Sequence, residues 1–294
     1  MKILLATPAH GGMVCLGYHQ SILSTHAFFR AEFPGIQFED RSIVYSVLSI
    51  SRNILASMVL NDTSFSHLLF VDSDMGFSPS LIAKMIAFQK PVVGCIYPMR
   101  KFNYDWFHAS GFVHKDPMVA RMLANDYVGG NGALITTTGP KGERQPQLVD
   151  GFVKVSYAGT GIMLIQRDVL QAIKDRFPEL WVAKPSEMYR QHGLKGGLLQ
   201  CFDSVQGADG LFPGEDIAFC RRWVEGCGGE IWSCVDEAIM HIGQENFIGH
   251  YLLKMVHGDA LAAKPPAALA SVLPMPESAR PVTRRERRAA RGAR

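Results

Sequence analysis

The sequence predicts an α/β protein with a mostly parallel central sheet flanked by helices, folded as one domain with long binding loops. Three observations predict this class. Short apolar runs of strand length recur through the first hundred residues: KILLAT, IQF, HLLFV and PVVGCIY. Stretches with helical spacing of apolar residues separate them. Alternation of this kind is the mark of a sheet covered on both faces.

The chain has 294 residues, 47% of them hydrophobic and 19% charged, enough for one substantial core. Its net charge of +3 is unevenly placed. Residues 280–294 contain seven arginines and one glutamate, so the remainder is mildly acidic. The expected organisation is a folded domain over residues 1–258. An Ala/Pro linker and Arg-rich tail, too poor in apolar residues to build a core, would cover residues 259–294. No apolar run reaches membrane-spanning length, and the start MKILLATPAHGG is too short in its apolar part for a signal peptide. Six cysteines without a CxxC pair fit reduced thiols, and the expectation is a cytoplasmic protein.

In chain order, Lys2 to Thr7 reads as the first strand, leading to the turn Pro8-Ala9-His10-Gly11-Gly12. Neither a GxGxxG fingerprint nor a Walker lysine follows. Met13 to Phe33 has helical spacing and is stopped by Pro34-Gly35. Ile36 to Phe38 is a short strand, and Ser42 to Leu60 a second helix whose buried stripe would be Val44, Val47, Leu48, Leu55 and Met58. Arg52 and Asn53 interrupt that helix, and a solvated face is their plainest account. The run His67 to Val71 then reads as a fully buried strand ending in Asp72-Ser73-Asp74. Ser78-Pro79 opens a third helix with a favoured N-cap and first-turn pair. Pro91 to Tyr97 is the next strand.

The rhythm is lost from Arg100 to Lys154, which reads as binding loops. Strand character returns before Arg167, led by Gly159-Thr160-Gly161, where glycines signal close approach of a ligand or another backbone. Asp168 to Phe177 is a helix, and the glycine-rich stretch 193–214 reads as a mobile loop. Glu215-Asp216 opens a helix closed by Gly226, Glu230 to Val235 is the last strand, and His241 follows it.

Asp72 and Asp74, two residues apart at a strand end, would share one face. Two such carboxylates attract a hard divalent cation. A solvated turn is the competing account, as helix capping is for Glu215 and Asp216. Taken together, LLFVDSDMGF, AGTGIMLIQRDVL, GEDIAFCRRW and HIG resemble the GT-A nucleotide-sugar glycosyltransferases across roughly residues 1–250. The resemblance implies a GT-A, Rossmann-like fold and Mn²⁺ or Mg²⁺ on Asp74, with Asp72 near the ion or the donor ribose and His241 as a further ligand. It implies Asp216 as general base in an inverting transfer from a UDP-sugar. Thr7, Pro8, Arg52, Asn53, Ser73, Gly161 and Glu215 would help hold the donor, and Arg100 and Lys101 would face its phosphates. TPAHGGMV and SRNILASMVL are similar to small phage and bacterial members related to the glucosyltransferase that makes base J in DNA. That implies glucose as the sugar and a 5-hydroxymethylated pyrimidine in duplex DNA as the acceptor. The arginine tail suits DNA because arginines neutralise phosphates without reading sequence. A carbohydrate acceptor stays open. So do a nucleotidyltransferase, which lacks its Gly-rich signature here, a phosphohydrolase, and a non-catalytic nucleotide-sugar or DNA-binding module.

Overall fold

A computed structural model of the chain describes residues 1–255 except 131, 140–141, 207–209, 244–245 and 253. The linker and tail expected over 259–294 lie outside the described residues. The first half alternates as β1 (Lys2–Pro8), α1 (Leu16–Glu32), β2 (Gln37–Ile43), α2 (Leu48–Asn61), β3 (His67–Val71), β4 (Met75–Gly76), α3 (Pro79–Ala87), β5 (Val92–Cys95) and β6 (Tyr97–Phe102). The stretch read as binding loops holds α4 (Tyr104–Val113), α5 (Pro117–Leu123), β7 (Asn125–Val128), β8 (Thr136–Thr138), β9 (Arg144–Pro146), β10 (Leu148–Val149) and β11 (Phe152–Val155). Next come β12 (Ile162–Gln166), α6 (Arg167–Arg176), β13 (Trp181–Val182), α7 (Glu187–Gln191) and β14 (Leu198–Leu199). Then follow α8 (Glu215–Arg221), which runs on as a π-helical turn to Gly226, β15 (Ile231–Cys234), β16 (Ile239–Ile242) and β17 (Asn246–Gly249).

Eight strands form the main sheet in the order β10-β11-β15-β5-β12-β3-β1-β2. The sheet is mixed rather than mostly parallel. β1 pairs in parallel with β2 and β3, and β5 with β15, but β12 lies antiparallel between β3 and β5, and β11 antiparallel beside β15. An apolar run buried on both faces has the same composition whichever way it points, so the sequence carries no sign of this reversal.

One face of the sheet is covered by α1 and α3, whose Tyr18, Ile22, Phe29, Leu81, Ile82 and Met85 pack on Ile3, Leu5, Leu69 and Val71. The other is covered by α2, α6 and α8 through Ile54, Leu55, Val59, Leu170 and Phe219 against Leu4, Ala6, Leu68 and Phe70. Full burial of each such side chain contributes roughly 1.5–3 kcal/mol, so the layers are held mainly by apolar contact. α3 starts where the Ser78-Pro79 pair places it, with the Ser78 hydroxyl accepting from the Ser80 amide.

α2 departs from expectation. Ser42 and Ile43 finish β2 by pairing with Thr7 and Pro8, and the helix begins only at Leu48. Val44, Val47 and Leu48 are therefore exposed, and the buried positions include Arg52, Asn53, Ser57, Ile54 and Val59. The stretch 193–214 is also not loop throughout, because Leu198, Leu199, Cys201 and Phe202 are core residues. All six cysteines are free thiols. Among the described residues no helix is long and apolar enough to cross a membrane.

Candidate functional site

The site lies where β3 ends. β3 stops at Val71, and residues 72–74 form a tight turn closed by the Met75 amide donating to the Asp72 carbonyl at 3.1 Å. The turn is pinned from both sides: the Asp72 amide donates to the Gly161 carbonyl, and the Cys15 amide to the Ser73 carbonyl, each at 2.8 Å. Because these residues have left the strand, the two-residue period no longer governs them. Asp72 and Asp74 consequently meet different partners rather than sharing one face.

Asp72 faces inward to α2. Its two carboxylate oxygens accept from Arg52 Nη2 at 3.0 and 3.1 Å, while Arg52 Nε donates to Glu215 Oε1 at 3.2 Å. Arg52 is 1% exposed and its guanidinium lies 5.1 Å from the Phe70 ring centre. One buried cation thus ties the turn after β3 to the first residue of α8. Burial pushes the Asp72 carboxyl above its ordinary value, a rise that Arg52 opposes and Asp74 reinforces.

Asp74 faces the other way. Its Oδ2 lies 3.5 Å from His241 Nε2 and 3.2 Å from Arg100 Nη1. β16 brings His241 there by pairing with β4, His241 opposite Met75, and the Ile242 amide donates to the Asp74 carbonyl at 2.8 Å. His241 Nδ1 lies 2.9 Å from the Pro98 carbonyl oxygen, which only accepts, so Nδ1 carries a proton. In the neutral ring Nε2 is then a lone-pair donor aimed at a carboxylate. A protonated ring would pair directly with that carboxylate; with the neutral ring, the two facing electron-pair donors favour a cation between them, and a carbonyl-anchored imidazole beside a carboxylate is a common metal-ligand arrangement. Burial raises the Asp74 carboxyl, but His241 and Arg100 outweigh it and hold it below its ordinary value. Among the described residues no three His, Cys, Asp or Glu side chains gather to hold an ion by themselves. An ion on Asp74 and His241 would complete its shell with other oxygens, as Mg²⁺ and Mn²⁺ do on substrate phosphates and water.

Asp216, the second residue of α8, differs again. Its Oδ1 accepts from the Ile217 amide at 2.7 Å, and no described residue forms an ion pair with it. Burial, then the neighbouring charge of Glu215, pushes its carboxyl above the ordinary value.

The remaining expected residues are near but otherwise engaged. Thr7 is buried, its hydroxyl 2.6 Å from the Tyr18 hydroxyl, and Pro8 is buried beside it. Asn53 donates to Asp203 Oδ1 at 2.6 Å and accepts from the Phe202 amide at 2.8 Å. Ser73 contributes its carbonyl to Cys15. Lys101 is 3.5 Å from Asp126, away from Asp74. At Gly161 the close approach is that of an aromatic ring: a Cβ would stand 2.8 Å from Tyr97 Cζ, and the Gly161 amide donates to the Tyr97 hydroxyl at 3.2 Å. Tyr97 was not legible as a site residue. It is buried, sits edge-on to His241 with ring centres 5.6 Å apart, and its phenol is pushed far up by burial. A tyrosine ending an apolar run reads as core, and only the fold shows what it touches.

No family model and no curated protein matches the chain. Among solved structures, A197 from STIV is similar at TM-score 0.43 and 14% identity, covering 83% of this chain and 86% of that one. A putative glucose-1-phosphate thymidylyltransferase from Bacillus anthracis, in complex with a sucrose, is similar at TM-score 0.26 and 13% identity, covering 66% of this chain and 83% of that one. At such identities and superpositions, the functional reading rests on the residues themselves.

Proposed function

We propose that the protein is a metal-dependent glycosyltransferase of GT-A type that moves a sugar from a UDP-sugar to an acceptor hydroxyl with inversion. The observation that carries this reading is the contrast between Asp74 and Asp216. Asp74 shares a cation-seeking position with His241. Among the described residues Asp216 forms no ion pair, and it holds its proton more tightly than an ordinary carboxyl. A transfer with inversion needs both: a cation-holding group on the leaving-group side of the anomeric carbon, and a base on the acceptor side.

Asp74 and His241 would hold Mn²⁺ or Mg²⁺, with Asp72 behind them. When bound, the ion neutralises charge on the leaving diphosphate. Asp216 accepts the proton of the acceptor hydroxyl as its oxygen bonds to the anomeric carbon and the bond from that carbon to the diphosphate oxygen breaks. Arg100, half exposed beside Asp74, is placed to meet a phosphate. The acceptor to test first is a 5-hydroxymethylated pyrimidine in duplex DNA, with glucose as the sugar; a carbohydrate hydroxyl is the alternative.

The test is UDP release by the full chain with Mn²⁺, a panel of UDP-sugars, and duplex DNA with or without 5-hydroxymethylated pyrimidines. Release that requires the modified base supports the whole reading. Release with glycans instead keeps the chemistry and changes the acceptor. No release with any donor, and no UDP binding, overturns it.

A further inference from the structure

The segment 197–203, whose Leu198 and Leu199 pair with β13 in a two-stranded sheet, is also fastened to α2 by side chains. Asn53, Ser57 and Asn61 lie four residues apart on one helix face. Asn61 Nδ2 donates to the Gly197 carbonyl at 2.7 Å, Ser57 Oγ accepts from the Leu199 amide at 2.8 Å, and Asn53 Oδ1 accepts from the Phe202 amide at 2.8 Å. Phe202 stacks on Phe219 of α8 at 4.7 Å, and Arg222 Nη1 donates to the Cys201 carbonyl at 2.8 Å. The chain is therefore fastened up to Asp203, which Asn53 also holds through its carboxylate. Glu215 is held by Arg52. Ser204 Oγ donates to the Pro213 carbonyl at 2.5 Å, which draws the two ends together.

We propose that Arg52 and Asn53, neighbours on α2, are positioning residues that clamp the two ends of segment 204–214 and so hold Asp216 in place, and that neither touches the donor. The role given to Asp216 rests on the function proposed above; the clamp itself does not. Two observations separate positioning from donor contact. Asn53 is 2% exposed, and both polar atoms of its side chain are already paired within the protein. Arg52 is likewise buried, and its Nη1, which has no hydrogen-bond partner among the described residues, exposes no surface that a ligand oxygen can reach in this arrangement. Its planar fork reaches Asp72 and Glu215 at once, a bridge that a lysine ammonium cannot reproduce with the same geometry.

The test pairs local amide exchange with nucleotide binding and turnover. In Asn53→Ala the Phe202 amide is expected to exchange about tenfold faster, as loss of one buried hydrogen bond predicts, with Leu68 to Val71 unchanged. In Arg52→Gln the same is expected at Ala218, whose amide donates to the Gly214 carbonyl. Turnover should fall about 100-fold in Arg52→Gln through misplacement of Asp216, while UDP–Mn²⁺ affinity stays within about threefold. If Arg52→Gln does not fold, Arg52→Lys and Asn53→Ala carry the same readouts. UDP affinity lost about tenfold or more with local exchange unchanged would make these residues donor contacts and overturn the proposal. If the wild type neither binds UDP nor turns over, the glycosyltransferase reading fails. The exchange measurement then decides the clamp alone, and unchanged exchange at Phe202 and Ala218 sinks it.

Discussion

Asp74 and Asp216 are two half-buried carboxylates in one site, yet their surroundings drive them apart. Asp74 meets His241 and Arg100 and is held below its ordinary pKa. Asp216 forms no ion pair among the described residues; burial and then the adjacent Glu215 raise it, against a smaller opposing effect of the Arg52 charge. Their inner neighbours, Asp72 and Glu215, share the single cation Arg52. The lesson is that one residue of each pair is tied to the buried Arg52 while the other faces away from it, the division that the proposed mechanism requires. Groups whose environments separate their proton affinities are the ones that divide acid–base and cation-holding roles.

The largest effect expected is from Asp216→Asn. If Asp216 is the base, turnover falls about 10²–10⁴-fold, with UDP–Mn²⁺ affinity retained. Asp74→Asn should instead weaken Mn²⁺ binding, followed by electron paramagnetic resonance, and lower turnover by about 100-fold. A variant pair with the same phenotype in both readouts would erase the distinction between the two residues.

The pH profile sharpens the contrast. A base with a raised pKa is protonated over a wider acid range, so the acid limb of kcat/KM should lie above the ordinary aspartate value of 3.8. Arg52 favours the ionised form of Asp216, so Arg52→Gln should move that limb further towards alkaline pH. An acid limb below the ordinary value would remove Asp216 from the base role.

The smallest effect is at a carboxylate resembling Asp74 in direction but remote from the site. Hydrogen bonding to Lys154, then to Lys90, lowers Glu230 to about 2 from 4.5 despite some burial. Its contribution to stability is present above pH 4.5 and is lost as pH falls towards 2. The group is a third exposed, so Glu230→Gln should cost only about 1 kcal/mol by urea unfolding at pH 7. Mn²⁺ affinity should not change.

Much of this molecule was legible in local pattern. The strand-to-turn passage at Val71–Asp74, the Ser78 cap and the Glu215 helix start depend on neighbours along the chain. A buried apolar run, a capping hydroxyl and a carboxylate at a helix N-terminus carry their physical reasons in adjacent residues. The helical region of α2 was also recognisable, but its polar stripe was not. Arg52, Asn53 and Ser57 read as a solvated face, because a buried polar side chain is recognisable only from its partner. Apart from Asp72, 20 residues on from Arg52, those partners, at 199–203 and 215, lie more than a hundred residues away.

The sequence by itself therefore determined the alternation of elements, the placing of two carboxylate pairs at strand and helix ends, and the histidine after the last core strand. Tertiary structure decided the antiparallel insertion of β12, the divergence of Asp72 from Asp74, the ring of Tyr97 over Gly161, and which carboxylate received a cation. The physical reason is range. Propensity, capping and apolar periodicity act over a few residues, whereas strand direction and charge pairing depend on groups that only folding brings within a few ångströms.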